Sequence, residues 1–554
     1  MKNFLTIFRN LKVAVISAVI GFAGCGYITA ENLVLLHTND THSLIDPDEA
    51  GRGGVLQRKA IIDSVRKAEK NVILIDAGDV VQGTLYFKFF KGDVEFPLMN
   101  MMGYDIQILG NHEFDNGMQQ LAPYYKSLNA DKLSANYDLS DTPLSGLLQP
   151  FVIKKIGGKK IGFFGINTDP ASLIANANYE GLRFLDPVTT ANATADYLRE
   201  KENCDLIIAV THIGARKENE KPTDYELAAS SRNIDIIIGG HSHNVISPAL
   251  HDPGFESVAL NIEGRPVAIA QTGKYGKYLG YINIDLDSPD PISTDNVIRR
   301  LIPVTDRFPG EMLDRNMEDF IRPYRERLEA VNNNVIGVAE YAMDCNDRTG
   351  SYVNWAADFA KWYGDLIADS IKSANPTDKL IPQVDFAMMN VGGIRHDLPA
   401  GDITEGHILS TFPFANRMVI VRIKGRDFID AMKIAAAKGG EAVSDQIRVV
   451  LDADRPDSPI EVLVGMKPMD PDKDYYFSTI NYLAWGNDDF TPLARGEIIW
   501  KDDKEMSAPM MRYIHMLSDL GLPVAGDPRP RFVNKIAVSG HDRQTPVNSS
   551  KADK

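Results

Sequence analysis

The 554-residue sequence has few cysteines, no excess of basic residues and, at 44% hydrophobic residues, too little hydrophobicity for a multi-span membrane protein. Its three cysteines, Cys25, Cys204 and Cys345, are too few for a disulfide framework or a cysteine-based zinc site. We expect Cys204 and Cys345 to be buried free thiols. Acidic residues outnumber basic residues by 75 to 59, which gives a formal charge of −16. Because nucleic-acid backbones bind cationic surfaces, this balance argues against a nucleic-acid polymer as partner.

The first thirty residues predict an export signal rather than part of the fold. Residues 1–12 carry three basic residues and no acid, and residues 13–24 form an apolar run too short to span a bilayer comfortably. The run ends in Phe-Ala-Gly-Cys, which resembles a bacterial lipobox with Cys25 as the lipid-modified N-terminus. Cleavage after Ala30 is the alternative. Both interpretations predict an exported protein, in the periplasm or at the outer membrane or cell surface as a lipoprotein.

The remaining chain alternates strand and helix patterns, so we predict an α/β fold. Six runs that are apolar at every position indicate strands buried on both faces of a layered α/β/β/α domain. These runs are Leu33–Leu36, Val72–Ile75, Ile106–Leu109, Ile161–Phe164, Leu206–Val210 and Ile234–Ile238. We predict this domain over 31–305, a linker helix over 306–335, a smaller α/β domain over 336–538 and a disordered tail over 539–554.

The ends of the predicted strands carry side chains that bind metals, and five of the eleven histidines lie there. Loops at the carboxyl ends of strands form the sites of open α/β sheets. The residues are Asp40 and His42 after the first strand, Asp79 after the second, Asn111, His112 and Asp115 after the third, His212 after the fifth, and His241 and His243 after the sixth.

This set of ligands predicts two divalent metal ions that share one carboxylate. Imidazole and carboxylate ligands suit Zn or Mn, with Co or Fe as alternatives, whereas Mg²⁺ prefers oxygen ligands. Two ions roughly 3.5–4 Å apart polarise a phosphoryl group and activate water for in-line attack. The Asp-x-His and His-x-His spacings require a turning backbone, which we expect Gly110, Gly239 and Gly240 to permit.

Taken together, these blocks resemble the calcineurin-like metallophosphoesterases. The resemblance implies that Asp79 bridges the two ions, that Asp40, His42 and His243 complete one site, and that Asn111, His212 and His241 complete the other. The block over 111–115, Asn-His-Glu-Phe-Asp, resembles the 5′-nucleotidase and UDP-sugar hydrolase branch of the family. In that branch His112 would stabilise the transition state or protonate the leaving alkoxide, and Asp115 would orient it.

The second half of the chain resembles the 5′-nucleotidase C-terminal domain. The motifs lie over 390–395, 413–416 and 482–488. The resemblance implies that a nucleobase stacks between Phe414 and Tyr482. It also implies that Asn416 and Asp488 contact the base or the ribose. Arg395 would contact the phosphate or the ribose, and Arg348 would be a second cation. The usual Gly-Gly-Asp-Gly of the family is Gly-Asn-Asp-Asp here over 486–489, which bears on the depth of the base pocket.

The sequence therefore predicts an exported monomeric hydrolase that releases phosphate from nucleoside 5′-monophosphates, and from nucleotide sugars or nucleoside polyphosphates as further substrates. A lipid anchor would be its contact with a membrane. One alternative on the same scaffold is a 2′,3′-cyclic nucleotide phosphodiesterase with 3′-nucleotidase activity, and another is a sulfur-ester hydrolase. A nucleotide-binding lipoprotein without turnover is disfavoured, because binding alone does not require His112 and Asp115.

Overall fold

The computed structural model describes residues 31–48, 50–171, 173–216, 221–288, 297–374, 383–452 and 455–534. The predicted signal over 1–30, with Cys25, and the predicted tail over 539–554 lie outside the described residues. Within the described part of the chain, no helix is both long and apolar enough to cross a membrane.

Two sheets form the centre of the N-terminal half. The first sheet has six strands, in the order Val297–Pro303, Tyr278–Asp285, Asn32–Thr38, Val72–Asp76, Ile106–Ile108 and Asp131–Leu133. The second sheet runs in the order Val245–Ile246, Pro266–Thr272, Ile236–Ile238, Leu206–His212, Lys159–Asn167 and Phe151–Ile156, with Val258–Leu260 paired to Pro266–Thr272. All six predicted strands are present, and their central pairs are parallel.

The two sheets pack face to face, and helices cover both outer faces. Alternate side chains decide the layers, because successive residues of a strand point to opposite faces. Leu33 and Leu35 pack between the sheets, whereas Val34 and Leu36 pack under the outer helices. The helices of this half are Val55–Ala68, Leu85–Phe90, Glu95–Met102, Met118–Ser127, Pro187–Glu200 and Asp224–Ser230. The predicted α/β/β/α layering is confirmed.

A helix over Arg315–Asn332 connects the two halves. It begins at Arg315 because the Asp314 side chain accepts hydrogen bonds from the backbone amides of Asn316 and Met317. The helix also packs against the N-terminal half, because Met317, Ile321 and Leu328 are buried in the apolar core between the first sheet and its covering helices. The domain boundaries given above stay a prediction.

The C-terminal half is built on a five-stranded sheet, in the order Ala442–Val443, Phe386–Met389, Asp474–Ile480, Met418–Lys424 and Glu497–Lys501. A second sheet runs in the order Lys467–Pro468, Arg455–Val464, Ile447–Asp452 and Phe532–Asn534, and Val335–Ala339 pairs with Gly401–Thr404. The helices are Ser351–Ala374, Glu405–Thr411, Gly425–Ala437, Asn481–Ala484 and Ser507–Asp519. One apolar core joins both larger sheets.

One local expectation, on the two cysteines, needs correction. Cys204 is a buried free thiol as expected, whereas Cys345 is only partly buried. Cys345 lies in a polar loop, where its backbone amide donates to the Asp397 carboxylate over 2.8 Å.

Candidate metal centre and adjoining cavities

The fold brings the predicted ligands to one edge of the two central sheets. Parallel pairing aligns the carboxyl ends of neighbouring strands, so that residues far apart in the chain meet there. Six of the seven predicted ligands gather in two groups, with one ligand atom of each residue within 4.8 Å of those of the others in its group. The first group is Asp40, His42 and His243, and the second group is Asp79, His212 and His241. This is the division that the resemblance implies.

In the first group, the Nε2 atoms of His42 and His243 lie 2.9 Å apart, although the two residues are 201 positions apart in the chain. Asp40 Oδ1 lies 3.5 Å from the Nε2 atom of His243 and 3.9 Å from that of His42. Asn39, which the sequence analysis missed, donates to Asp40 over 2.6 Å and to the Gly273 carbonyl over 2.8 Å. Three ligand atoms thus converge on one point, as a cation would require.

In the second group, the ring of His212 has a fixed orientation. Its Nδ1 atom donates to the Ala77 carbonyl over 2.7 Å, which directs Nε2 toward Asp79. Burial opposes protonation of this ring, but Asp79 outweighs it and raises the pKa of His212 to about 10, so a bound metal ion would replace the proton on Nε2. That Nε2 atom is buried, lies 3.1 Å from Asp79 Oδ2 and makes no hydrogen bond within the described part of the chain. His241 Nδ1 lies 2.9 Å from Asn111 Oδ1. The orphaned nitrogen and the nearby carboxylate and amide oxygens fit a divalent metal ion.

Burial and mutual charge shift the pKa values of these groups in opposite directions. Burial raises the pKa of Asp40 to about 7 and holds the pKa of His42 well below its usual range. Burial opposes the ionised form of Asp79 too, but His212 and the other imidazoles outweigh it and bring the pKa of Asp79 well below its usual range. The centre therefore holds an anion, Asp79, among imidazoles with little solvent to stabilise it.

Five of the seven predicted ligands have a left-handed backbone. The φ angles are 50° at Asp40, 45° at His42, 56° at Asp79, 76° at His241 and 58° at His243. Such a conformation costs a residue with a side chain about 1–2 kcal/mol, and strain of this kind concentrates at functional sites. The ligands themselves make the turns that we assigned above to neighbouring glycines.

The expectation for Gly110, Gly239 and Gly240 is therefore wrong, because none of these three has a positive φ. Their role is to leave space. A Cβ atom at Gly110 would overlap the carboxylate of Asp79, and one at Gly239 would overlap the carboxylate of Asp224. The missing side chain lets the third strand end pass directly behind the predicted bridging ligand.

Glu113 supports the loops that carry the ligands, a role that the sequence analysis missed. Its side chain is buried and accepts hydrogen bonds from three backbone amides, those of Asp79 over 3.0 Å, Val80 over 2.8 Å and Gly110 over 2.6 Å. One carboxylate thereby ties the second strand end to the third. A buried acid inside a ligand motif was the available signal, since such a group requires donors.

The His112 side chain lies beside the metal groups, between the carboxylate of Asp115 and the guanidinium of Arg395. Its Nδ1 atom is 3.0 Å from Asp115 Oδ2, and its backbone amide donates to Asp79 Oδ1 over 2.8 Å. Arg395, from the other half of the chain, donates to Nε2 over 3.1 Å. Burial opposes protonation of this ring, but Asp115 and Asp79 outweigh it and raise the pKa of His112. The pair has the geometry of an oriented acid–base group.

A cavity of about 720 Å³ opens from the metal groups toward the C-terminal half. Its lining contains residues of the metal groups, the His112–Asp115 pair and predicted substrate residues from the other half. The predicted residues that line it are Asp79, Asn111, His112, Asp115, His241, His243, Arg395, Phe414, Asn416, Tyr482 and Asp488. The volume is in the range of small-molecule sites. The two halves of the chain therefore share one cavity, with the metal groups at one end and aromatic rings along it.

The aromatic residues that line this cavity make different contacts. The ring of Phe414 lies 6.1 Å from that of His112 and 5.5 Å from the Arg395 guanidinium. The Tyr482 hydroxyl donates to the Leu173 carbonyl over 3.4 Å, which links the two halves. Trp485, which the sequence analysis missed, also lines the cavity and is 48% exposed. A tryptophan in a polar loop was the signal for it.

Two polar residues of the C-terminal half depart from the expected arrangement. Arg348 does not line the large cavity but a smaller one beside it, and it donates to Glu441 over 3.0 Å. Asp488 accepts a hydrogen bond from Asn390 over 3.3 Å and has a φ of 59°. Asp489, where the family usually has glycine, has a φ of 66°. The predicted roles of these substrate residues stay predictions.

Comparison with known proteins gives matches to both halves. The calcineurin-like phosphoesterase family model matches residues 33–245, and the 5′-nucleotidase C-terminal domain model matches residues 335–495. Together these ranges contain all the predicted ligands and the predicted substrate residues from Arg348 to Asp488.

Several known proteins that are 27–28% identical to this chain match it over most of its length. A trifunctional nucleotide phosphoesterase protein of Bacillus subtilis is 27% identical over an alignment of 533 residues that covers 87% of this chain and 34% of that protein. The chain thus spans about a third of that relative. The 5′-nucleotidase of Rattus norvegicus is 28% identical over 524 residues, with 86% of each chain covered. The crystal structure of a 5′-nucleotidase precursor from Thermus thermophilus is 27% identical and has a TM-score of 0.77, with 91% of this chain and 99% of that chain covered.

Proposed function

Because the chain belongs to the 5′-nucleotidase family of calcineurin-like phosphoesterases, we propose that it hydrolyses nucleoside 5′-monophosphates to nucleoside and phosphate. The family establishes a metal-dependent phosphoric ester hydrolase; the substrate is our inference. Nucleotide sugars and nucleoside polyphosphates are further proposed substrates, since they present the same nucleoside and a phosphate ester or anhydride.

The observation that carries this proposal is the shared cavity. Potential metal ligands and an acid–base pair from the N-terminal half line the same space as Phe414 and Tyr482 from the C-terminal half. A nucleoside monophosphate has this division of chemistry, with a dianionic phosphate at one end and an aromatic base at the other. Stacking of a base on aromatic rings contributes about 1–3 kcal/mol per base.

The residues present fit two divalent ions, with Asp79 of the second group as the proposed bridging ligand and Zn or Mn as the proposed metals. When bound, the ions supply charge for the phosphoryl oxygens and a nucleophilic water. Arg395 adds a cation at the same end of the cavity, 3.1 Å from His112 Nε2. Asp115 holds the His112 ring in place through Nδ1, and Nε2, which accepts from Arg395 in this structure, would donate a proton to the leaving 5′-alkoxide once the ring is protonated.

We also propose that the chain acts as an exported monomer. The basic residues and apolar run over 1–24 support export, and the lipobox-like sequence supports lipid attachment at Cys25. Phase partitioning of the expressed wild type and Cys25→Ser tests the anchor: transfer of the variant alone to the aqueous phase is expected, and identical partitioning would contradict lipid attachment.

A phosphate-release panel tests the substrate. The purified chain is loaded with Zn²⁺, Mn²⁺ or Co²⁺ and offered the four common nucleoside 5′-monophosphates, a 3′-monophosphate, a 2′,3′-cyclic nucleotide, a nucleotide sugar and p-nitrophenyl phosphate. We expect the highest kcat/KM with 5′-monophosphates. A preference for cyclic or 3′-nucleotides would replace the proposal by the alternative phosphodiesterase function. No phosphate release with any metal would refute both.

A further inference from the structure

A second, smaller cavity of about 240 Å³ adjoins the first group of potential ligands. His42 and His243 line it on one side. It shares four lining residues with the large cavity, namely Gln82, His243, Gly392 and Arg395. The small cavity thus begins at the end of the large cavity where the phosphate is proposed to lie. Neither Phe414 nor Tyr482 lines the small cavity, so it is separate from the proposed binding place of the base.

The lining of this small cavity is cationic. It includes Lys274, Arg348 and Arg395, and no Asp or Glu is among the lining residues that the structure describes. Arg348 is paired with Glu441 over 3.0 Å. Arg395 donates to His112 and Gln82. Two of the three cations therefore have partners that fix their side chains at the rim.

Lys274 differs from these arginines. Its ammonium group lies 5.1 Å from the centre of the Tyr275 ring but makes no hydrogen bond or ion pair within the described ranges. Burial and the nearby Arg395 lower its pKa, which reflects a cation held among cations. A partly buried ammonium without an anion is costly, and a bound anion would repay that cost.

We propose that the small cavity is a subsite for a second phosphate group, in addition to the one that is hydrolysed, and that Lys274 binds it. This rests on the proposed function for the position of the first phosphate. The volume is below the range of whole-ligand pockets, which suits a small anionic group rather than a second nucleoside. The phosphate has two sources: the distal phosphate of a nucleoside polyphosphate, or free inorganic phosphate, the product of the reaction.

The experiment compares Lys274→Met with Lys277→Met. Both remove one positive charge from the same segment and keep an unbranched apolar side chain. Lys277 is the matched control, because it pairs with Asp48 over 3.1 Å and does not line the small cavity. Calorimetric titration of the metal-loaded proteins with inorganic phosphate measures binding without turnover. We expect about tenfold weaker binding in Lys274→Met, as for loss of one charge-assisted contact, and less than a twofold change in Lys277→Met.

Turnover measurements then distinguish the distal phosphate of a nucleotide from free inorganic phosphate as the bound group. A distal phosphate predicts that the ratio of kcat/KM for a nucleoside diphosphate to that for the monophosphate falls about tenfold in Lys274→Met. An unchanged ratio, with weaker inhibition by inorganic phosphate, assigns the subsite to the free product.

Equal phosphate affinity of Lys274→Met and wild type, with unchanged circular dichroism, would overturn the proposal. Equal weakening in both variants would overturn it too, since the effect would then be a general one of charge. Phosphate titration requires no nucleotide. Lys274-dependent binding without hydrolysis of nucleoside monophosphates would therefore refute the proposed function and not the subsite.

Discussion

Replacement of Glu113 by glutamine tests whether the metal centre depends on its backbone supports. The carboxylate Oε1 atom accepts from Val80, and Oε2 accepts from Asp79 and Gly110. Glutamine is nearly isosteric but keeps one acceptor oxygen and has a nitrogen donor in place of the other. At best it retains the two bonds at Oε2 and points an N–H group at the Val80 amide, donor against donor.

The expected cost follows from these contacts. Burial raises the pKa of Glu113 to about 8, so the lost hydrogen bond is counted at the ordinary value of about 0.5–1.5 kcal/mol, and a buried amide without a partner adds about 1–3 kcal/mol. We therefore expect Glu113→Gln to lower the free energy of unfolding by about 3 kcal/mol. Because Val80 follows Asp79 directly in the chain, the repulsion at the Val80 amide shifts the loop that carries the Asp79 carboxylate, and metal affinity falls roughly 10- to 100-fold.

Urea unfolding of the metal-free proteins measures the first effect, and titration with Zn²⁺ or Mn²⁺ against a chromophoric chelator measures the second. Asp235→Asn is the matched control. Asp235 accepts from the Ile207 amide over 2.7 Å at the opposite end of the strand that carries His212. The control should lose stability and keep metal affinity. Unchanged metal affinity in Glu113→Gln, or an equal loss in Asp235→Asn, would refute the reasoning.

Three further changes have expected outcomes. Phe414→Ala should raise KM for a nucleoside 5′-monophosphate about tenfold and leave KM for ribose 5-phosphate, which lacks the base, nearly unchanged; equal effects would contradict stacking. His112→Ala should lower kcat about 10²- to 10⁴-fold for nucleoside monophosphates and much less for p-nitrophenyl phosphate, whose leaving group needs no proton, whereas an unchanged kcat would remove His112 from the reaction. Burial lowers the pKa of His37 from 6.5 to about 4. Below about pH 6.5 the unfolded chain therefore takes up a proton that the folded chain does not, and the free energy of unfolding falls by about 2 kcal/mol between roughly pH 7.5 and pH 5. His37→Gln should lack that part of the pH dependence in urea unfolding, and an equal slope in both proteins would contradict it.

The fold class and the positions of the candidate ligands follow from the sequence alone, because their signals are local. Strands buried on both faces are apolar at every position, and the first strand appears as such in both sequence and structure. Metal ligands follow strand ends as short blocks of unusual side chains, so that Asp40, Asp79 and His212 stand out without knowledge of their neighbours. The resemblance to a family adds the division into two metal groups.

Only the tertiary structure decides which groups touch. His42 and His243 meet because parallel pairing aligns strand ends that are 201 residues apart in sequence, and no local pattern encodes that distance. The role of Gly110 as a space for Asp79 depends on a close approach between two strand ends. The unpaired Lys274 is visible as such only when the two halves enclose a common cavity. Packing between distant segments sets these contacts, whereas sequence periodicity records only the burial and conformation of each segment by itself.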